Sequence, residues 1–123
     1  MKKIISLLTL FIFIDCIQAE TSEQRVYRSE FMFCNYNEGN TYQDVLVEQE
    51  SYKMFLEEKG LEYNRLNLTP IWDNDAEYDY VMWGNWPNGE MQYKEWGAYM
   101  NDYPAWATEN EVTTNVAGDC KNY

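Results

Sequence analysis

The sequence contains no histidine. Histidine is the commonest general base near neutral pH, a frequent zinc ligand and the usual proximal ligand of haem. Its absence excludes catalytic sets of the Ser-His-Asp and Cys-His kinds, and it excludes zinc sites that depend on imidazole. No motif indicates another prosthetic group, so we predict no metal site and no cofactor.

Positive charge is scarce: Lys and Arg number 9 against 21 Asp and Glu, which gives a formal net charge of −12. A surface of this sign repels the phosphate groups of nucleic acids and of anionic membranes. Neither is therefore an expected partner.

Long apolar runs are absent apart from one segment at the start of the chain. Lys2 and Lys3 precede the run Ile4–Ile14 (IISLLTLFIFI), which is too short to span a bilayer but has the length of a secretory core. We predict a cleaved signal peptide over residues 1–19 and one domain over residues 20–123, secreted or periplasmic and free of the membrane. A retained anchor, a buried helix and a lipid on Cys16 are the alternatives.

Cysteines are few, and only Cys34 and Cys120 remain after this cleavage. An even pair in an oxidising compartment indicates a disulfide. Because the bridge would close a loop over most of the domain, it would contribute about 4 to 5 kcal/mol on the chain-entropy account. The Cys-x-x-Cys spacing of redox sites is missing, which argues against a redox role.

Turn residues and hydrophobic periodicity predict the element order β-α-β-β-α-β. Thr41 and Gly60 are expected to begin and end the first helix, and Pro104 to end the second. The predicted strands are residues 25–35, 63–71, 77–85 and a short segment at 113–116, and the predicted helices are residues 42–59 and 90–103. This order is typical of the ferredoxin-like α+β fold, in which two helices cover one face of an antiparallel sheet.

An early cysteine at the end of strand one, an aromatic strand followed by Trp86-Pro87 and a late cysteine give the chain a familiar pattern. It resembles the dimeric α/β-barrel superfamily, and in particular small exported bacterial members of unknown role. The resemblance implies a homodimer that pairs through the helix-free sheet faces into a barrel. It also implies small-molecule binding or cofactor-independent oxygenase chemistry, while the missing histidine departs from the haem-handling members.

Side chains alternate between the two faces of a strand, so the pattern assigns each residue to a face. The more apolar set is expected under the helices, and comprises Phe31, Phe33, Leu66, Leu68, Tyr80 and Met82. The helix-free face then carries the candidate ligand-binding residues, which are Arg28, Glu30, Arg65, Asn67, Trp83 and Asn85. Our hypothesis is an exported domain whose helix-free face binds an apolar or aromatic molecule, with Trp83 stacking and the arginines holding a polar group.

Three other interpretations remain open at this stage. Arg28, Glu30 and Arg65 could form a solvated ion-pair ladder on a structural or interaction module. An oxygenase or isomerase-like enzyme could use Glu30 as acid or base, if burial raises its pKa. The acidic segment Asp73–Asp79 could bind calcium, although Tyr78 and Gly84 stand where an EF-hand has Gly and Glu, and a solvated hairpin loop is the favoured interpretation.

Overall fold

The computed structural model describes residues 27–71 and 75–123. The predicted signal peptide and part of the acidic segment, residues 72–74, lie outside these ranges. The described chain is an α+β domain with one four-stranded antiparallel sheet and three helices. The elements are β1 (Arg28–Tyr36), α1 (Tyr42–Lys59), β2 (Asn64–Leu68), β3 (Tyr80–Trp86), α2 (Gly89–Asn101), α3 (Tyr103–Glu109) and β4 (Ala117–Asn122).

The sheet has the strand order β2-β3-β1-β4, and every neighbouring pair is antiparallel. The two central strands are thus β3 and β1, with the two shorter strands at the edges. The last strand lies at Ala117–Asn122 rather than at the predicted 113–116, where Val116 is buried and its carbonyl accepts a hydrogen bond from the Asn37 amide at 2.9 Å.

Local sequence signals explain the first helix. The Asp44 carboxylate accepts a hydrogen bond from the Thr41 backbone amide at 2.7 Å, which stabilises the exposed first turn. Gly60 ends the helix in the left-handed conformation with φ of 65°, where a side chain would be strained. The prediction of a helix between these two residues is confirmed.

The second helix differs from its prediction. It begins after Asn88, whose side chain accepts from the Met91 amide at 2.8 Å, but it ends at Asn101 and not at Tyr103. Pro104 then lies in the first turn of the short helix α3. The amide of a first-turn residue has no hydrogen-bond partner within the helix, so a proline, which lacks that amide, is tolerated there. Pro104 was predicted to end the second helix, and it instead helps to start α3.

Two groups of buried side chains form the core. One joins the helices and consists of Tyr52, Phe55, Leu56, Tyr103, Trp106 and Ala107. The other lies between the sheet and α1 and consists of Cys34, Val45, Tyr80, Met82 and Val116. The predicted disulfide between Cys34 and Cys120 is present and joins β1 to the edge strand β4.

The face assignment is confirmed for β3 but was wrong for β1 and β2. Tyr80 and Met82 are buried under the helices as predicted. Directly paired residues of antiparallel strands share a face. The pairs Glu30↔Gly84, Arg65↔Gly84 and Asn67↔Met82 therefore bring three polar side chains under the helices as well.

The apolar residues of β1 and β2 lie on the opposite, helix-free face. Phe31, Leu66 and Leu68 are 38%, 44% and 46% exposed there. Phe33 shares that face and packs against the rings of Tyr78 and Tyr123. Hydrophobicity alone misassigned these strands, because the space under the helices contains hydrogen-bonded polar groups.

Within residues 27–71 and 75–123, no helix combines the length and the apolar character that crossing a membrane requires.

Candidate functional site

A cavity of about 520 Å³ separates the helix-covered face of the sheet from the helices α1 and α2. Its volume falls within the range of about 300 to 1,000 Å³ that is usual for small-molecule pockets. Apolar side chains such as Val45 and Met82 alternate along its wall with tyrosines and with four charged residues. The charged residues are Glu30, Glu48, Arg65 and Glu95.

Glu95 on α2 is the most deeply buried charged residue of the described chain, with only 4% of its surface exposed. Its carboxylate accepts hydrogen bonds from the Tyr52 hydroxyl on α1 and from the Trp86 indole at 3.1 Å on β3. Burial raises the pKa of the Glu95 carboxyl, and the two hydrogen bonds oppose that rise only in part. The side chain therefore connects three elements through one carboxyl group.

Glu30 is the second carboxylate under the helices. Its Oε1 accepts from the Tyr63 hydroxyl at 2.9 Å, and its Oε2 makes no hydrogen bond within the described residues. Burial raises the pKa of the Glu30 carboxyl, against the opposing effects of Tyr63 and Arg65. A raised pKa is the property that the sequence-based acid–base hypothesis required of Glu30.

Gly84 makes this contact possible. A Cβ atom at position 84 would lie 2.8 Å from Glu30 Oε1 and would overlap the Tyr63 hydroxyl. The space above Gly84 is occupied by the Tyr63–Glu30 pair and not by a helix. The glycine is thus a requirement of the site and not of helix packing.

Arg65 carries the positive charge of the site. Its guanidinium forms an ion pair with Glu48 on α1 at 2.5 Å, and only 10% of the side chain is exposed. Burial lowers the pKa of Arg65, but Glu48 outweighs this effect and the net shift is upward. The Arg65 Nε is buried and has no hydrogen-bond partner within the described residues.

The tyrosines of the cavity stay protonated at neutral pH. Burial and the nearby carboxylates raise the pKa of Tyr52 and of Tyr63, and burial raises that of Tyr80 to about 12. Their hydroxyls therefore remain hydrogen-bond donors, which is the role that Tyr52 and Tyr63 have toward the two glutamates.

The six candidate residues do not form one site. Glu30 and Arg65 line the cavity, and the Asn67 amide next to it donates to Gln49 on α1. Arg28 is exposed at the start of β1, close to Gly89 at the start of α2.

The other two candidates lie on the helix-free face, as predicted, away from the cavity. Trp83 stacks on Phe31 with a distance of 5.6 Å between ring centroids. Asn85 accepts a hydrogen bond from the Ser29 hydroxyl at 2.7 Å.

Sequence reasoning missed Glu95, Glu48 and the hydroxyl of Tyr63. The spacing of four between Glu48 and Tyr52 places both on one side of α1, which is a usable signal. Glu95 has no such signal, because a glutamate in a helix is usually solvated. Trp96 and Tyr99 of α2 also line the cavity, and each is about half exposed.

We expect the substitution Gly84→Ala to separate the Tyr63 hydroxyl from Glu30 and to lower the free energy of unfolding by about 1 to 3 kcal/mol, the usual cost of overpacking. Gly97→Ala is the matched control, because a Cβ at that helical position meets nothing within 4 Å. Urea unfolding of both variants measures the difference. Equal stability of the two variants would contradict the account of Gly84.

We expect Glu95→Gln to change how stability depends on pH. Because the folded-state pKa of Glu95 is raised, its contribution is fully present below the unfolded-state pKa and is lost as pH rises through the folded-state pKa. Glutamine stays neutral, so the variant should gain stability relative to wild type as the pH rises from about 4, near the ordinary pKa of glutamate, through neutral. Urea midpoints across this range measure the difference.

Glu90→Gln is the control for that experiment. Glu90 is exposed, and its hydrogen bond from Lys94 lowers its pKa, so its smaller effect should have the opposite sign. A Glu95→Gln difference that is independent of pH would show that the carboxylate is not desolvated as described.

No protein-family model, no curated protein and no solved structure matches this chain. The function must therefore be argued from the geometry of the cavity and from the residues that line it.

Proposed function

We propose that the protein is an exported small-molecule-binding domain, with its ligand held between the sheet and the helices. The ligand is an apolar or aromatic molecule that carries at least one polar group. The observation that supports this most is a cavity of about 520 Å³ with aromatic walls and converging buried charges. We locate the pocket here rather than on the helix-free face because Glu30 and Arg65 line the cavity.

The polar groups of the cavity support a binding role over a packing role. A buried donor without a partner, such as Arg65 Nε, costs free energy in the empty protein. A buried carboxylate such as Glu95 costs more than an apolar side chain of similar volume. Groups that are unfavourable for stability and that converge on a cavity are typical of functional sites.

The strand order β2-β3-β1-β4 and the βαββ start of the chain support a ferredoxin-like fold, with α3 as an additional helix. We further propose that the helix-free face pairs with a second copy of the chain. Although the protein is strongly acidic, the paired positions of this face carry one charge, that of Lys121, and Asp119 of β4 lies at an unpaired position. Depletion of charge is typical of interface cores. The residues of this face are Ser29, Phe31, Phe33, Asn64, Leu66, Leu68, Val81, Trp83, Asn85, Lys121 and Tyr123.

We expect the wild-type protein to sediment as a dimer and the variant Leu66→Lys to sediment as a monomer, because a charge would be buried against an apolar partner. Met54→Lys is the control, since Met54 is also an exposed apolar residue but lies on α1. Sedimentation velocity distinguishes the species. A wild-type monomer at every concentration would contradict the proposed interface and would leave the cavity unaffected.

We expect the neutral fluorophore N-phenyl-1-naphthylamine to bind the folded protein with enhanced emission. Thr114 is exposed and lies at the edge of the cavity, so Thr114→Trp should obstruct entry and weaken binding about tenfold or more. The neighbouring substitution Thr113→Trp, outside the lining, should leave the affinity unchanged. Fluorescence titration of the three proteins gives the affinities.

Trp83→Ala separates the two possible binding faces in the same titration. Trp83 lies on the helix-free face, so the variant should keep the wild-type affinity if the cavity binds the fluorophore. Loss of binding in Trp83→Ala, or equal effects of the two threonine substitutions, would place the site elsewhere and contradict the proposal.

A further inference from the structure

We propose that the cavity selects an organic cation, an ammonium group carried on an apolar or aromatic body. This inference rests on the proposed pocket and names the chemical class of its ligand. It is carried by the charge balance of the lining, by the arrangement of the aromatic rings and by the unused oxygen of Glu30.

The charges that line the cavity do not balance. Glu48 and Arg65 form an ion pair at 2.5 Å and neutralise each other. Glu30 and Glu95 remain, and neither forms an ion pair within the part of the chain that the structure describes. Glu95 is buried and Glu30 is half-buried, and carboxyls in such places without an ion-pair partner favour a ligand that supplies the positive charge.

The aromatic walls fit a cation as well. The rings of Tyr63 and Tyr99 stand nearly perpendicular to that of Tyr52, at centroid distances of 6.2 and 5.8 Å. All three tyrosines line the cavity together with Trp96. Tyr52 packs edge-to-face with the other two tyrosines, and the Arg65 guanidinium already lies 6.0 Å from the centre of its ring. The half-exposed rings of Trp96 and Tyr99 therefore remain to attract an ammonium group through the negative potential of their faces.

The other ligand classes fit less well. An anion would face two carboxyls, and the single guanidinium is already paired with Glu48. A neutral ligand would leave both carboxyls without a charged partner. A metal ion needs several oxygen or sulfur ligands in one place. The described residues hold no group of three or more acidic or cysteine side chains that could supply them.

Binding of a cation would be linked to proton release. The pKa values of Glu30 and Glu95 are raised in the empty cavity, so a cation takes the place of a proton and its affinity rises with pH. The ionisable groups that interact with these two carboxyls are Tyr52 on α1, Tyr63 and Arg65 at β2 and Tyr99 on α2, and the two carboxyls also repel each other. Glu48, Tyr80 and Tyr103 act on them only through Arg65 and Tyr99.

Three probes with one aromatic body and different charges test the proposal: 2-phenylethylammonium, 2-phenylethanol and 3-phenylpropanoate. Isothermal titration calorimetry should give an affinity for the ammonium about tenfold or more above that for the alcohol, with the carboxylate weakest. The ammonium affinity should rise from about pH 5 to about pH 7, with protons released to the buffer.

Variants assign this selectivity to the two glutamates. Glu30→Gln and Glu95→Gln should each reduce the preference for ammonium over alcohol about tenfold, because each removes one negative charge. Glu90→Gln removes the same charge on the exposed side of α2 and should keep the wild-type preference. Glu30→Gln serves as the second variant if Glu95→Gln fails to fold.

Three results overturn the proposal and can be told apart. Equal affinity for the ammonium and the alcohol would refute the cationic class and would leave the pocket intact. Absence of ammonium binding would also refute it, and the N-phenyl-1-naphthylamine titration then shows whether the pocket itself fails. Equal effects of Glu30→Gln and Glu90→Gln would show that the preference for the ammonium arises from the overall charge of the protein and not from the cavity.

Discussion

The buried carboxyl of Glu95 is the interaction on which the rest of the structure depends. It accepts hydrogen bonds from Tyr52 on α1 and Trp86 on β3, so it links both long helices to the centre of the sheet. A carboxyl in this place is unfavourable to bury, and its two donors compensate only part of that cost. An apolar side chain would allow the helices to pack closer to the sheet. The carboxyl and its donors instead hold open a space that the Tyr63–Glu30 and Arg65–Glu48 pairs share.

The polar side chains of β1 and β2 lie on the helix-covered face of the sheet and their apolar side chains on the helix-free face, which is the opposite of what their hydrophobicity suggests. The covered face holds Glu30, Arg65 and Asn67, and the helix-free face holds Phe31, Leu66 and Leu68. The disulfide between Cys34 and Cys120 lies on the covered side and secures the edge strand that closes the cavity there. One sheet thus has a cavity lined by polar groups on one face and an exposed apolar surface on the other.

Much of this fold could be predicted from the sequence, because local signals determine it. Thr41 and Gly60 define α1 through capping, and the two cysteines outside the predicted signal peptide indicate the disulfide. The helix α3 could not be predicted, since Pro104 is compatible both with the end and with the start of a helix. The prediction of which side chains of β1 and β2 face the helices was wrong for a different reason. Arg65 and Asn67 lie under the helices because Glu48 and Gln49 bind them there, and no local pattern reveals these partners.

The candidate site also contains residues that the sequence could indicate and residues that only tertiary contacts reveal. Glu30 and Arg65 were predicted as ligand-binding residues of the helix-free face, because polar residues in strands are unusual enough to be noticed, and they line the cavity on the other face. Glu95 was not predicted, because its burial depends on a tryptophan nine positions earlier and on a tyrosine of another helix. The burial of such a group appears only when the tertiary contacts are known.

Trp86, and not Trp83, faces the helices beside the buried carboxyl of Glu95. Nuclear Overhauser contacts of the two indole rings in the folded protein test this orientation most directly. The account predicts contacts from Trp86 to the rings of Tyr63 and Trp96, and from Trp83 to the ring of Phe31. Contacts from Trp83 to the rings of Tyr52 or Trp96 would contradict it, since β3 would then present its other face to the helices.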